Sequence, residues 1–151
     1  MTPSILLVDD DADVRLLLGE FLTRAGYLVH TAREGRQALH LLEKIETPYV
    51  IVLDYMMPEM NGKEFLAARR RYPRLRAVPI IVLSAWTREW SGARLGGVAE
   101  ILPKPVDPDT LLHVVQRVLS APMRPAIREF KYERRRTPRL RLPETGVRRM
   151  S

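Results

Sequence analysis

Tyr49 to Gly62, YVIVLDYMMPEMNG, carries the clearest structural signal in the chain. Its first five residues are a continuous apolar run rich in β-branched side chains, the pattern of a strand buried on both faces. The run ends at an acid, Asp54, and the Pro58 to Gly62 segment reads as a turn. A strand of this kind belongs in a parallel sheet with helices on both faces, so the flanking sequence should alternate between strand and helix patterns.

It does so in both directions. Upstream, Ile5 to Val8 is a short apolar run that also ends at acids, Asp9 and Asp10. Ala12 to Ala25 then repeats apolar residues at helical spacing (Val14, Leu17, Leu18, Phe21, Leu22) until Gly26 stops it. Tyr27 to Thr31 reads as a strand, and Gly35 to Lys44 as a helix with Ala38, Leu39, Leu41 and Leu42 as its buried stripe. Downstream, a helix through Phe65, Leu66 and Ala68 runs into the Arg69 to Arg71 cluster. Pro73 and Pro79 bracket a loop before the strand Ile80 to Leu83, with Ser84 at its exit.

Trp86 to Gly97 is the weakest helix, because Gly92, Gly96 and Gly97 each cost about 1 kcal/mol relative to alanine in a helix interior. Glu100 to Leu102 is a brief strand, Pro103-Lys104-Pro105 a turn, and Asp107 with Pro108 opens a last helix through Leu111, Leu112, Val115, Val118 and Leu119. Five strands alternating with five helices predict an α/β fold with a doubly wound parallel sheet. Ligands of such sheets bind at the carboxyl ends of the strands.

With 151 residues the chain has room for one domain, expected over residues 1–120, and an appendage over 121–151. No apolar run approaches a membrane span, and the acid-rich start lacks the basic region of a secretory signal, so a cytoplasmic location is expected. The chain has no cysteine, and His30, His40 and His113 are scattered, which leaves carboxylates to carry any metal chemistry. The net charge of +7 is unevenly placed: residues 1–120 hold 15 basic and 15 acidic residues, and residues 121–151 hold 10 and 3. A neutral domain with a basic end implies one chemical task and one concerned with partners.

In the expected sheet, Asp9, Asp10, Asp54, Ser84 and Lys104 come to one edge. Three carboxylates brought together repel one another, and a hard cation with oxygen ligands relieves this; Mg²⁺ is the expected ion. Asp54, at the end of the middle strand, is the expected nucleophile for a phosphoryl group. Asp9 and Asp10 would hold the metal, Lys104 would neutralise phosphoryl oxygens, and the Ser84 hydroxyl would donate a hydrogen bond to one of them.

Asp9-Asp10 in LLVDDDADVR, Asp54 in VLDYMMPEMNG, Ser84 in IIVLSA and Lys104 in LPKPVD resemble the receiver domains of two-component response regulators, over about residues 4–120. The resemblance implies a flavodoxin-like fold with strand order 2-1-3-4-5 and phosphorelay signalling in which Asp54 takes a phosphoryl group from a sensor-kinase phosphohistidine. It also implies metal ligation by Asp10, Asp54 and the Met56 backbone carbonyl, with Asp9 acting through water. Such a module is not a free-standing enzyme; it catalyses its own phosphorylation and dephosphorylation and then switches a partner-binding surface.

Two features depart from the family pattern. Ile101 stands where many receivers carry an aromatic residue that turns inward on activation, and the segment between Ser84 and Lys104 is shorter than usual and holds three glycines. Bulky Met56 and Trp86 correspond to positions flanking the phosphate, and they predict slow phosphate loss. A haloacid-dehalogenase-like phosphatase would need an acid where Met56 stands, and no phosphate-binding glycine loop is present.

Simpler readings compete at several positions. Asp9 and Asp10 could only cap the first helix, a task also suited to Asp11 and Asp13. Lys104 could be a solvated turn lysine, and Ser84 an ordinary strand-exit serine. Trp86 and Trp90, four apart, are either core or an exposed anchor. Residues 121–151, with four prolines and little apolar periodicity, are expected to be disordered alone. That segment reads as a plain solubilising tail, as a nucleic-acid contact with Phe130 and Tyr132 among ten basic residues, or as a piece resembling the opening of a PilZ domain. The last rests on Glu133 to Arg139, where Arg135 and Arg139 would grip cyclic di-GMP, although only twelve residues follow Arg139.

Overall fold

The computed structural model describes residues 2–57, 59–85 and 97–120. Within them β1 (Ser4–Val8), β2 (Leu28–Ala32), β3 (Val50–Asp54), β4 (Ile80–Ser84) and β5 (Val98–Pro103) form one parallel sheet in the order β2-β1-β3-β4-β5. The α-helices are α1 (Ala12–Arg24), α2 (Gly35–Leu42), α3 (Gly62–Arg69) and α4 (Pro108–Ser120), and a 3₁₀ turn spans Pro73–Leu75. The sheet order matches the expectation. The remaining expected helix, over 86–97, lies outside the described residues apart from Gly97, as do Trp86, Trp90 and residues 121–151.

The apolar runs are continuous because β1, β3 and β4 are covered on both sides. Leu6, Val8, Ile51, Leu53, Ile80 and Val82 face a core containing Ala38 and Leu42 of α2 and Phe65 and Leu66 of α3. Their neighbours Ile5, Leu7, Val50, Val52, Ile81 and Leu83 face a second core with Leu18 and Leu22 of α1 and Leu111, Val114 and Val115 of α4. Strand alternation thus splits each run between two cores. The edge strand β2 shows a broken pattern, with Leu28 exposed and Ala32 buried.

Three details differ from the periodicity reading. Leu17 belongs to the expected stripe of α1 but is 59% exposed, beside Leu16 at 62%. The helix is covered on one side only, so its buried line runs through Leu18 and Leu22 and leaves Leu17 on the flank. Helix α2 stops at Leu42, two residues before Lys44. Strand β5 is longer than expected because ladder pairing, which periodicity does not report, extends it from Val98 to Pro103.

Every loop leading from a strand into a described helix supplies an oxygen to the helix N-terminus. Asp11 accepts from the Asp13 and Val14 N–H groups at 2.9 and 3.2 Å, and Asn61 accepts from Glu64 at 2.9 Å. Glu34 accepts from Arg36 and Gln37, both at 2.7 Å, and Asp107 from Thr110 at 3.0 Å. These bonds satisfy otherwise orphaned donors. They also fix the loops at the carboxyl edge of the sheet, where the acids gather.

Candidate phosphoryl-transfer site

Strands β1 and β3 end side by side, with Val8 in register with Leu53, so Asp9, Asp10 and Asp54 leave the sheet together. One carboxylate oxygen from each lies within 4.8 Å of the other two. Asp9 and Asp54 are buried, at 0% and 2% exposure, whereas Asp10 is exposed at the rim. Burying two carboxylates is costly unless cations and N–H donors compensate. Lys104 provides the cation: its Nζ donates to Asp9 Oδ2 at 3.0 Å and lies 3.1 Å from Asp54 Oδ2.

The bridge exists because β5 pairs with β4 and delivers Lys104 beside Ser84, whose carbonyl accepts the Lys104 N–H at 3.0 Å. A cis Lys104–Pro105 peptide follows. Ser84 is buried at 1% exposure, at the end of β4. The structure therefore brings Asp9, Asp10, Asp54 and Lys104 into one cluster and places Ser84 on the strand next to it.

Backbone donors complete the neutralisation. The Asp11 N–H donates to Asp9 Oδ1 at 2.9 Å, and the Met56 N–H donates to Asp54 Oδ1 at 3.2 Å. Capping alone does not describe Asp9: Asp11 caps α1, while Asp9 pairs with a lysine from the opposite half of the sheet. The solvated-turn reading of Lys104 fails for the same contact.

Two elements of the site were not legible in the sequence. Arg15 Nη1 donates to the Asp9 carbonyl at 2.7 Å, tying α1 to the end of β1. An arginine in a helical pattern reads as a surface residue, and the spacing carries no signal that it turns back. The second element is the close approach of the loop after β3. A Cβ on Gly62 would lie 2.8 Å from Tyr55 Cα, and one on Gly35 would lie 2.7 Å from Met60 Cγ. Both glycines were visible in the sequence, but what they approach was not.

Electrostatics follow the geometry. Burial first, then the hydrogen bond with Asp10 and the charge of Asp9, raise the Asp54 carboxyl from 3.8 to about 7, against the opposing pull of Lys104. Burial by itself would lower Lys104, but its hydrogen bonds and charge contacts with Asp9 and Asp54 outweigh this and raise it. Three oxygen donors on a partly open edge, one of them with a raised proton affinity, fit a hard divalent cation. The Met56 side chain is 59% exposed beside this mouth.

The sequence model of the response regulator receiver domain family matches residues 5–116. The chain belongs to that family. A 14.6 kDa uncharacterized protein from Leptolyngbya boryana is 42% identical over 115 residues, which cover 75% of this chain and 87% of that protein. The two-component response regulator ORR5 of Oryza sativa subsp. japonica is 31% identical over 122 residues, covering 78% of this chain and 89% of the relative. Among solved structures, the chemotaxis response regulator CheY4 of Vibrio cholerae superposes with a TM-score of 0.72 at 37% identity, over 79% of this chain and all of that one. The response regulator TrrA of Thermotoga maritima, solved in complex with Mg²⁺ and BeF, gives 0.69 at 30% identity over 78% of this chain and 100% of that one.

The receiver is thus a flavodoxin-like response-regulator module of two-component phosphorelay signalling. Membership implies an encounter with a histidine kinase or phosphotransfer partner. The family match ends at residue 116, so it lends nothing to the PilZ-like reading of residues 133–139 or to output through residues 121–151. No helix among the described residues is long and apolar enough to cross a membrane.

Proposed function

We propose that Asp54 is the phosphoryl acceptor of this receiver, served by Lys104 and Ser84, and that Asp9, Asp10, Asp54 and the Met56 backbone carbonyl hold Mg²⁺. The observation that carries this reading is the Lys104 ammonium placed between Asp9 and Asp54 at 3.0 and 3.1 Å. A cation so placed already sits where phosphoryl oxygens would arrive on Asp54.

In the transfer, an Asp54 carboxylate oxygen forms a bond to phosphorus as the P–N bond of a partner's phosphohistidine breaks. The imidazole leaves with the bonding pair and takes up a proton. Lys104 can keep its charge against the phosphoryl oxygens while loosening its hold on the carboxylate, and the Ser84 hydroxyl donates to one of those oxygens. Bound Mg²⁺ supplies charge neutralisation and an oxygen template. In dephosphorylation, water attacks phosphorus and the P–O bond to Asp54 breaks, releasing inorganic phosphate; the exposed Met56, together with Trp86 by its place in the sequence, shields that approach and slows it. The protein acts in the cytoplasm, residues 1–120 being the receiver and 121–151 a basic tail, and phosphorylation changes a partner-binding or self-association surface.

The test is intact mass of the full chain after acetyl phosphate, with Mg²⁺ or with chelator, for wild type and Asp54→Asn. One phosphoryl adduct on wild type, dependent on Mg²⁺ and missing from the variant, is the expected result. An equal adduct on Asp54→Asn, or none on wild type with Mg²⁺ present, removes Asp54 from the role.

A further inference from the structure

We propose that the edge of the sheet opposite Asp54 carries a second binding surface, built from Arg70, Arg71, Arg74 and Arg76, that takes the phosphate backbone of nucleic acid. These residues lie between the end of α3 and the start of β4, in the run RRRYPRLR from Arg69 to Arg76. Helix α3 runs antiparallel to the strands, so the run sits at the amino edge of the sheet, a full strand length from the acidic cluster. All four arginines are exposed.

Their charge is uncompensated. No acid occurs between Glu64 and Glu89 in the sequence. Among the described residues the ion pairs are Lys104 with Asp9 and Asp54, and Arg117 with Glu100, so none of the four arginines has a carboxylate within 4 Å. Glu43 and Glu46, on the loop from α2 to β3 at this same edge, leave them unpaired. What holds the arginines in place is backbone: Arg74 donates to the Leu42 carbonyl and Arg76 Nε to the Arg70 carbonyl at 3.1 Å. A guanidinium held by one N–H keeps its remaining donors, in a planar fork, for phosphate oxygens.

The chemistry of the patch narrows the class of partner. Its large aliphatic side chains, Leu75 and Val78, are buried at 0% and 5%, so it offers no exposed aliphatic anchor to a membrane surface or a protein partner. Repeated, evenly spaced negative charge needs no such anchor. Tyr49, 45% exposed at the start of β3 next to β4, adds an aromatic ring on the same edge. Helix α4 also runs back to this edge, where it ends at Ser120.

The experiment is fluorescence anisotropy of a labelled 30-base-pair duplex DNA with the full chain, as a function of salt. It compares wild type with Arg70→Gln/Arg71→Gln, whose side chains make no hydrogen bond among the described residues, and with a quadruple variant that adds Arg74→Gln and Arg76→Gln. Thermal melts verify folding, and the double variant decides the question if the quadruple does not fold. We expect the double variant to bind at least tenfold more weakly, with a slope of log K against log salt flatter by about 2, while Asp54→Asn binds as wild type. Unchanged binding and slope in the double variant overturn the proposal. So does stronger, equally arginine-dependent capture by phosphatidylserine vesicles or polyglutamate, which would assign the patch to a membrane or an acidic protein instead.

Discussion

Asp54 is held in a balance of opposing effects. Burial, Asp10 and Asp9 favour its protonated form, Lys104 favours its ionised form, and the result is a carboxyl raised to about 7. An acid raised on folding binds its proton more tightly in the native state, so stability is lost as pH climbs from the unfolded value of 3.8 to about 7 and is level above that. Asparagine at this position keeps an oxygen for the Met56 N–H and removes the charge. Asp54→Asn should therefore match wild type near pH 4 in chelator and become more stable by about 1–3 kcal/mol at pH 8, read by urea unfolding. A constant difference across that range would contradict the balance. Lys104→Met should act in the opposite direction, losing about 3 kcal/mol at pH 8, because it leaves Asp9 and Asp54 with no cation between them.

At the level of elements, the loop between β3 and α3 shows where local pattern and tertiary contact part. The sequence makes a turn there, and Asn61 at the N-cap of α3 agrees with it. What the sequence does not show is that the loop folds back on the strand it has just left, with the Gly62 N–H donating to the Tyr55 carbonyl at 2.9 Å. Gly62→Ala would press a methyl against backbone at 2.8 Å and should cost about 2–3 kcal/mol in urea unfolding. Gly26→Ala is the contrast: its Cβ meets nothing within 4 Å, and only its φ of +102° opposes it, so about 1 kcal/mol is expected. Equal costs at the two sites would mean that backbone conformation, not the close approach, governs the loop. The same distinction explains what was legible elsewhere. Strands β1, β3 and β4 could be read because burial on both faces leaves an unbroken apolar run, and Asp9, Asp10, Asp54 and Lys104 could be placed because each ends or follows a strand. Arg15 and the length of β5 could not, since both depend on which element lies alongside.

Across the whole molecule, the acidic cluster joins parts of the chain far apart in sequence. Asp9 and Asp10 follow β1, Asp54 ends β3, and Lys104 follows β5, so an ion on the three carboxylates would stabilise the sheet as a unit and not one loop. Binding confined to the native state stabilises it by about 2.7 kcal/mol at a hundred times the dissociation constant. Protons and metal compete for Asp54, so affinity should rise with pH until its carboxyl is ionised, near 7, and then level off. Saturating Mg²⁺ should accordingly raise the melting temperature of wild type more at pH 8 than at pH 5.5. Asp10→Asn and Asp54→Asn should each remove most of that rise, since each deletes a charge from the cluster. Ca²⁺ should substitute poorly for catalysis of loading yet still raise the melting point, because its looser shell tolerates the same oxygens. Scanning calorimetry at the two pH values, with each ion and with chelator, measures the melting shifts, and intact mass after acetyl phosphate with each ion measures loading. A melting point indifferent to Mg²⁺ at pH 8 would mean that Lys104 alone neutralises the cluster and that no cation shares it in the resting protein.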